Sequence, residues 1–297
     1  MDDAITVLAG ATGNLGGRIA RALLERGASV RAIVRRNSDA DRVEALRQQG
    51  ATIAEVDFNS VSELTEACSG ASCVVSVLSG LREVIVEAQT LLLDAAVKAG
   101  VPRFIPSDYS IDFTKLPPGT NRNLDLRREF HQRLDRAPLA ATSILNGMFA
   151  DLLTGQAPVV LFKLKRVVYW ENADQLLDFT TMDNAAEFTA AAALDASTPR
   201  FLRIAGHQIS ARGLVEVASE VTGETFRLMR AGSLKRLGAL IKFTRAVFFM
   251  SRALYPPWQG MQYMHNMFSG RVKLEPLDND RYPGIKWTTV REVLAAR

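Results

Sequence analysis

Gly10-Ala11-Thr12-Gly13-Asn14-Leu15-Gly16 sets three glycines at intervals of three, directly after the apolar run Ile5 to Ala9. Leu15, Ile19, Leu23 and Leu24 then recur at helical spacing. A strand, a glycine turn and a helix, in that order, suit a dinucleotide pyrophosphate. Gly10 permits the tight turn, Gly13 lets backbone approach phosphate, and Gly16 allows the helix to pack closely on the strand. The first turn of the helix then offers unpaired N–H groups and a partial positive charge to the anion. The commoner spacing is Gly-x-Gly-x-x-Gly, and glycine triplets also occur in ordinary turns. The reading rests on where this one sits, between strand and helix.

Two further stretches bear on the same chemistry. The second strand ends in Arg35-Arg36, where an enzyme that uses NAD would carry an acid for the ribose 2′-hydroxyl. Arginine there suits the 2′-phosphate of NADP, the alternative being a solvated basic turn. Thr12 adds a hydroxyl within reach of the same phosphate. Leu78-Ser79-Gly80 closes the fourth strand, at the carboxyl edge where open α/β sheets bind ligands.

The elements that must hold these residues follow from repeated punctuation. Gly27, Gly50, Gly70 and Gly100 each end a helical segment and lead into an apolar run. The strands are expected at Ile5–Ala9, Ser29–Val34, Thr52–Val56, Cys73–Leu78, Arg103–Pro106 and Ala141–Leu145. Alternation of this kind gives a parallel sheet with helices on both faces and right-handed crossovers. The fold class is α/β, a Rossmann-type doubly wound sheet. After Phe149 the alternation stops. Residues 1–150 are read as the NADP-binding domain, with returning elements from about 176–205, and residues 151–297 as a smaller, partly discontinuous C-terminal substrate lobe.

The glycine loop resembles that of the NmrA-like and isoflavone-reductase-like branch of the atypical short-chain dehydrogenases/reductases. Pro106-Ser107-Asp108-Tyr109 is similar to the Pro-Ser-Glu-Phe that follows the fifth strand in that family, and Asp278 to Val290 resembles its C-terminal Tyr-Pro motif and closing helix. The resemblance implies that Asp57-Phe58 borders the adenine, though Asp57 is equally suited to cap the helix that starts near Ser60. It implies Asn146 to Phe149 beside the nicotinamide; Leu78 and Ser79, at the carboxyl edge, are expected beside the nicotinamide-side ribose, and Ser107 is a further cofactor-binding candidate. It also implies a catalytic lysine near the start of the helix Leu124–Leu134. No lysine occurs there, and Arg127 falls at its position. Arginine keeps its charge at any working pH and is a poor general acid. It can fix an anionic substrate or steady a developing oxyanion. Tyr109 and Ser107 are the other candidate catalytic groups, Tyr109 as a replacement donor or as a packing residue beneath a Pro- and Gly-containing loop, Ile111 to Asn123, that arches outward.

Composition narrows the rest. With 297 residues, 47% apolar and 23% charged, the chain can bury a large core, and its net charge of +4 fits an anionic cofactor. Cys68 and Cys73 form neither a disulfide framework nor a metal set, and the three histidines, His131, His207 and His265, are far apart, so no metal is expected. No secretory signal or membrane span is evident, which points to the cytoplasm. Nothing suggests nucleic acid. Ser233 to Leu254 is a basic amphipathic helix candidate, suited to a pocket roof, a dimer contact or a membrane surface. Tyr255 to Phe268 is rich in aromatics and methionine and suits a ligand lining or a core. The resemblance implies an NADP(H)-dependent oxidoreductase, monomer or homodimer, passing hydride to a small hydrophobic carbonyl, quinone or conjugated alkene. The alternative is a non-catalytic NADP(H)-sensing regulator that acts through a protein partner, kept open by the missing lysine.

Overall fold

A computed structural model describes residues 5–248 and 253–297. In chain order its elements begin β1 (Ile5–Ala9), α1 (Asn14–Glu25), β2 (Ser29–Arg35), α2 (Ala40–Gln48), β3 (Thr52–Val56), α3 (Val61–Cys68), β4 (Ala71–Ser76), α4 (Gln89–Lys98), β5 (Arg103–Ile105), α5 (Arg122–Leu134), β6 (Ala140–Ala141) and β7 (Ser143–Leu145). They continue with β8 (Met148–Phe149), β9 (Val160–Leu161), β10 (Arg166–Trp170), β11 (Leu177–Thr180), α6 (Met182–Leu194), β12 (Phe201–Arg203), β13 (His207–Ile209), α7 (Ala211–Thr222), β14 (Arg227–Gly232), α8 (Leu234–Val247), α9 (Pro257–Phe268) and α10 (Val290–Ala295). The chain divides into two units. The first is Met1–Tyr109, Leu126–Ile144 and Ala185–Leu202; the second is Ser110–Asp125, Leu145–Asn184 and Arg203–Arg297.

The first unit is built on a six-stranded sheet of order β3-β2-β1-β4-β5-β6 in which every pairing is parallel. Its inner strands are apolar runs because parallel strands bury both faces. Val7, Leu8 and Ala9 are wholly buried, as are Ile19 and Leu23 of α1. Val74, Leu92, Phe104 and Phe130 extend one continuous core across β4, α4, β5 and α5. The chain first moves outward from β1 through β2 to β3, then returns to lay β4 on the other side of β1. That reversal leaves the carboxyl ends of β1 and β4 parted by the helices that follow them, the place where doubly wound sheets take ligands. The doubly wound α/β class is what the structure shows.

Several boundaries differ from the sequence expectation, each for a local reason. β4 runs Ala71–Ser76, not Cys73–Leu78, because Ser76 already faces Ala9, the last residue of β1. The run Ala141–Leu145 is two strands: β6 belongs to the parallel sheet, while β7 pairs with β12. The switch falls at Thr142, whose hydroxyl shares a hydrogen bond of 2.7 Å with that of Thr198. Phe201–Arg203, within the returning elements expected from about 176–205, is a strand and completes this small pair. α5 begins at Arg122 because the Asn121 carbonyl accepts from Asp125 N at 2.9 Å. The helix expected over Ser233–Leu254 is α8, which ends at Val247; Arg252 and residues 249–252 as a whole, like Met1-Asp2-Asp3, lie outside the described residues.

In the second unit β14, β10 and β9 form one small sheet and β13, β11 and β8 another. The segment from Ile111 to Asn123 reaches solvent only in part: Pro117, Pro118 and Gly119 are exposed, whereas Ile111, Asp112, Phe113, Leu116 and Asn121 are buried. Asp112, with no exposed surface, accepts from Arg203 Nε at 2.8 Å, so the loop is fixed by a buried charge pair. Asn121 then accepts from Gln259 of α9 at 2.7 Å and donates to Asn266 at 3.2 Å. Trp258, Met264, Met267 and Phe268 of α9 are buried, and Phe268 meets Trp170 edge-on at 5.6 Å. The aromatic and methionine cluster is largely core.

A β-carbon at Gly16 would lie 2.1 Å from the Gly10 carbonyl oxygen. Gly16→Ala should therefore push α1 away from the sheet and cost about 1–3 kcal/mol, as overpacking does, with urea-denaturation midpoints as the check; an unchanged midpoint would show that the contact is not tight.

Candidate functional site

The glycine loop is a backbone cradle. Gly10 takes φ +88°, and a side chain there would meet the Val77 carbonyl oxygen at 2.7 Å, so the turn needs glycine on both counts. Gly13 is the N-cap of α1; its N–H donates to Gly10 O at 3.0 Å and its carbonyl accepts from Gly17 N at 2.9 Å. No side chain caps this helix and no acid sits in its first turn. By contrast Asp39, Ser60, Ser210, Ser233 and Thr289 cap α2, α3, α7, α8 and α10. The first-turn N–H groups around Asn14, Leu15 and Gly16 thus lack a side-chain acceptor. They face a turn whose glycines leave room for backbone to approach an anion, which is what a phosphate group requires.

The basic residues nearby divide their roles. Arg35 is exposed at the end of β2 and its guanidinium has no side-chain partner among the described residues. Arg36 gives both 2.9 Å hydrogen bonds of a fork to the Glu63 carboxylate, which also accepts from Asp57 N at 2.9 Å. A third arginine, Arg42 of α2, donates to the Thr12 carbonyl at 3.0 Å and so lies against the glycine loop. Sequence reasoning missed Arg42, because nothing in its spacing from Gly10 reveals that α2 turns it back. Asp57 does not cap α3, since Ser60 does. Its carboxylate instead accepts from Asn59 N at 2.9 Å and stays exposed beside Phe58, which packs on the core. A cavity of about 390 Å³ also touches Arg35 and Arg36, but its other walls come from α2 and Glu55 and none from the glycine loop. Its acids Asp41, Glu44 and Glu55 stand against its three arginines, Arg35, Arg36 and Arg47.

The ends of β4 and β5 are tied together by Ser107. Its hydroxyl donates to Leu78 O at 2.7 Å, its N–H donates to the buried Gln89 Oε1 at 2.9 Å, and its carbonyl accepts from Arg127 Nε at 3.1 Å. Leu78, Ser107 and Arg127 are thus brought together, with Ser79 exposed alongside. Next to them lies a cluster that no sequence signal announced. Asp108 is wholly buried, and its Oδ2 takes 2.6 Å hydrogen bonds from His131 Nε2 and Ser143 Oγ. Arg200 donates to His131 Nδ1 at 3.1 Å and to Ser143 Oγ at 2.6 Å. A guanidinium has no acceptor, so Nδ1 accepts and the imidazole proton on Nε2 faces Asp108. Burial works against the Asp108 anion, but the attraction of the His131 N–H that bonds to it, the hydrogen bond from Ser143 and the nearby Arg127 outweigh it. The carboxyl is held below its ordinary range.

Tyr109 points into the core of the first unit. Its hydroxyl has no well-formed hydrogen bond, and the neighbouring Thr189 hydroxyl commits its proton to Ala185 O at 2.6 Å. Burial pushes the phenol pKa well up. Cys68 and Cys73 are free, buried thiols pushed up to about 12 by burial. Asn146 and Phe149 belong to the second unit. Asn146 has no exposed surface, its side-chain nitrogen and oxygen lack partners, and its backbone carbonyl accepts from Thr180 Oγ1 at 2.7 Å. Phe149 sits in β8, opposite Thr180. Among the described residues no group of side chains could hold a metal ion, and no helix is long and apolar enough to cross a membrane.

The sheet order and the glycine cradle define a Rossmann-type protein with a dinucleotide-type loop. The chain belongs to the NmrA-like family, whose profile matches residues 1–244. It is similar to pinoresinol reductase 1 of Arabidopsis thaliana, 27% identical over 236 residues, 73% of this chain and 74% of that one. It is also similar to the isoflavone reductase homolog IRL of Zea mays, 25% identical over 235 residues covering 74% and 75%. The fold matches an NADPH-dependent quinone oxidoreductase complexed with NADPH from Escherichia coli, with TM-score 0.77 at 17% identity over 98% of this chain and 99% of that one.

The Asp108 cluster has a pH signature. A carboxyl that ionises below the roughly 3.9 of an unfolded aspartate stabilises the fold at and above that pH. The contribution fades as pH falls through the folded value. Urea midpoints measured from neutral pH down into acid should drop more steeply for wild type than for Asp108→Asn. That variant should start about 1–3 kcal/mol less stable, having exchanged the charged acceptor of two buried donors for a neutral amide. Parallel pH profiles would remove Asp108 from this role.

Proposed function

We propose that the chain is an NADP(H)-dependent reductase that passes hydride to a small hydrophobic carbonyl, quinone or conjugated alkene. The observation that carries the reading is the uncapped glycine cradle with Arg35 unpaired at the end of the neighbouring strand. The family, the likeness to a pinoresinol reductase, and the fold shared with a quinone oxidoreductase support the reductase class and a conjugated acceptor. The cofactor supplies the hydride, and the protein contributes binding, orientation and electrostatics.

On this reading the first-turn N–H groups of α1, with Gly10, Gly13 and Gly16, receive the pyrophosphate. Arg35 and Arg42 are the cations for the 2′-phosphate, Thr12 borders it, and Asp57 and Phe58 flank the adenine. Arg36 is held back by Glu63. Leu78, Ser79 and Ser107 line the ribose at the carboxyl edge, and Asn146 and Phe149 are assigned to the nicotinamide. Residues 151–297 take the substrate. Arg127, anchored on the Ser107 carbonyl, fixes negative charge that develops on the acceptor, with no proton of its own to give at working pH. Tyr109 keeps a packing role, because a phenol shut in the core is a poor donor to a ligand; water then completes the protonation.

The missing lysine and the buried Tyr109 hydroxyl favour one second reading, a regulator that binds NADP(H) without turnover. Purified protein mixed with NADPH and a panel of quinones, enals and aryl ketones separates the two. Oxidation above background is expected with at least one acceptor, and binding of both cofactor forms with no oxidation across the panel assigns the regulator. Under the reductase reading, Arg127→Ala should lower kcat about tenfold or more, in line with the loss of one oxyanion partner, and Arg127→Lys should introduce a pH dependence that wild type lacks.

Cofactor choice is the sharper test. A charge-assisted hydrogen bond contributes about 1.5–3 kcal/mol, roughly a ten- to hundredfold preference for NADPH over NADH. Calorimetric titration should show most of that preference lost in Arg35→Ala, part of it in Arg42→Ala and little in Arg36→Ala. Equal wild-type affinity for the two cofactors would sink the assignment.

A further inference from the structure

Between Glu224 and Glu275 the sequence holds nine lysines and arginines and not one aspartate or glutamate. The other 27 basic residues share the rest of the chain with all 32 acidic ones, so the rest of the molecule taken together is mildly acidic. The same stretch gathers the apolar surface. Of the eight large apolar side chains exposed among the described residues, five lie here: Leu240 at 45%, Phe243 at 67%, Val247 at 57%, Phe248 at 46% and Tyr255 at 62%. Such clustering marks an interaction surface, whereas single exposed leucines do not.

Helical geometry sorts these groups on α8. Leu237 is the one buried residue of that helix and turns toward the unit's interior. Leu240, Phe243 and Val247, spaced three and four apart, share an outward stripe. Arg236 heads that stripe, and Lys235 and Lys242, seven apart, run along one edge of it. Lys235, Arg236 and Lys242 are exposed, and no carboxylate pairs with any of them among the described residues. Arg245 is occupied otherwise, 5.6 Å above the Trp258 ring.

We propose that the outer face of α8 docks on an anionic lipid bilayer, with Leu240, Phe243 and Val247 entering the acyl boundary and Lys235, Arg236 and Lys242 meeting lipid phosphates. An apolar stripe edged by long cationic side chains is what an interfacial helix presents, because lysine stems lie along the apolar region while the ammonium reaches the headgroups. Charge complementarity selects the anionic bilayer over the other occupants. A second copy docked by the same face would set the unpaired cations of one protomer against those of the other, since a two-fold contact is self-complementary. Nucleic acid would leave Phe243 and Val247 facing phosphate.

The test uses the whole chain and sedimentation with phosphatidylcholine vesicles, with and without phosphatidylglycerol. Wild type should sediment with the anionic vesicles alone, and added salt should weaken the binding. Lys235→Glu/Lys242→Glu should lower the partition about tenfold or more. Phe243→Ser/Val247→Ser should lower it by a similar factor at low salt; all four positions are exposed, and circular dichroism checks that both variants are folded. No sedimentation of wild type with phosphatidylglycerol vesicles overturns the proposal, as does equal sedimentation of wild type and variants. Loss in the charge variant alone shows adsorption without insertion and also overturns it. So does a wild-type dimer, by analytical ultracentrifugation, that the Phe243/Val247 variant converts to monomer.

Discussion

The first unit depends on how closely one helix can approach the junction of two strands. Val77 N donates to Ala9 O at 2.8 Å in the last ladder bond between β1 and β4, and past it the chains part. Gly10 turns against the Val77 carbonyl, and Gly16 brings α1 down on the carbonyl of Gly10. Both approaches are closer than any β-carbon allows. The contact energy is modest, but the consequence is positional: the uncapped end of α1 is held where the strand order reverses. The ligand-binding edge of a doubly wound sheet is thus produced here by two missing side chains.

Electrostatics then decides which cations serve that edge. Two arginines elsewhere in the unit are committed to the fold. Arg103 is buried and donates to the carbonyls of Ala192 and Ala193, at 2.7 and 2.8 Å, near the end of α6. Arg31 does the same for Ala67 and Ser69 at the end of α3. These cations satisfy carbonyls that helix ends leave unpaired. Arg36 is drawn off by Glu63, which leaves Arg35 at the end of β2 without a side-chain partner among the described residues and the back-turned Arg42 against the glycine loop. Beneath the ends of β4 and β5, Asp108, His131, Ser143 and Arg200 form a buried polar cluster. The Asp108 Oδ1 is buried without a partner, so the two donors on Oδ2 are what tolerate the anion, and they hold the segment that bears Ser107.

The second unit follows a different logic. Its loop from Ile111 to Asn123 is fixed by the Asp112–Arg203 pair and by the amides of Asn121, Gln259 and Asn266, and its aromatic and methionine cluster supplies core. Its acid-free stretch leaves α8 with cations that have no internal partner.

By itself the sequence determined the doubly wound class, the glycine cradle, the basic end of β2 and the family, because each is written in local periodicity or in residues a few positions apart. Glycine at 10 is required locally by its positive φ and glycine at 16 by the carbonyl of Gly10 in the same loop, and apolar runs report burial directly. Only the tertiary structure decided the rest. The split of Ala141–Leu145 between two sheets depends on which partner each half meets, and the reach of Arg42 depends on how α2 returns over the loop. Whether Arg36 is available turns on Glu63, 27 positions away. The cluster of Asp108 with His131, Ser143 and Arg200 joins residues whose separations carry no period. Tyr109 reads the same in sequence whether its hydroxyl faces solvent or core, and packing around Thr189 and Cys73 placed it in the core.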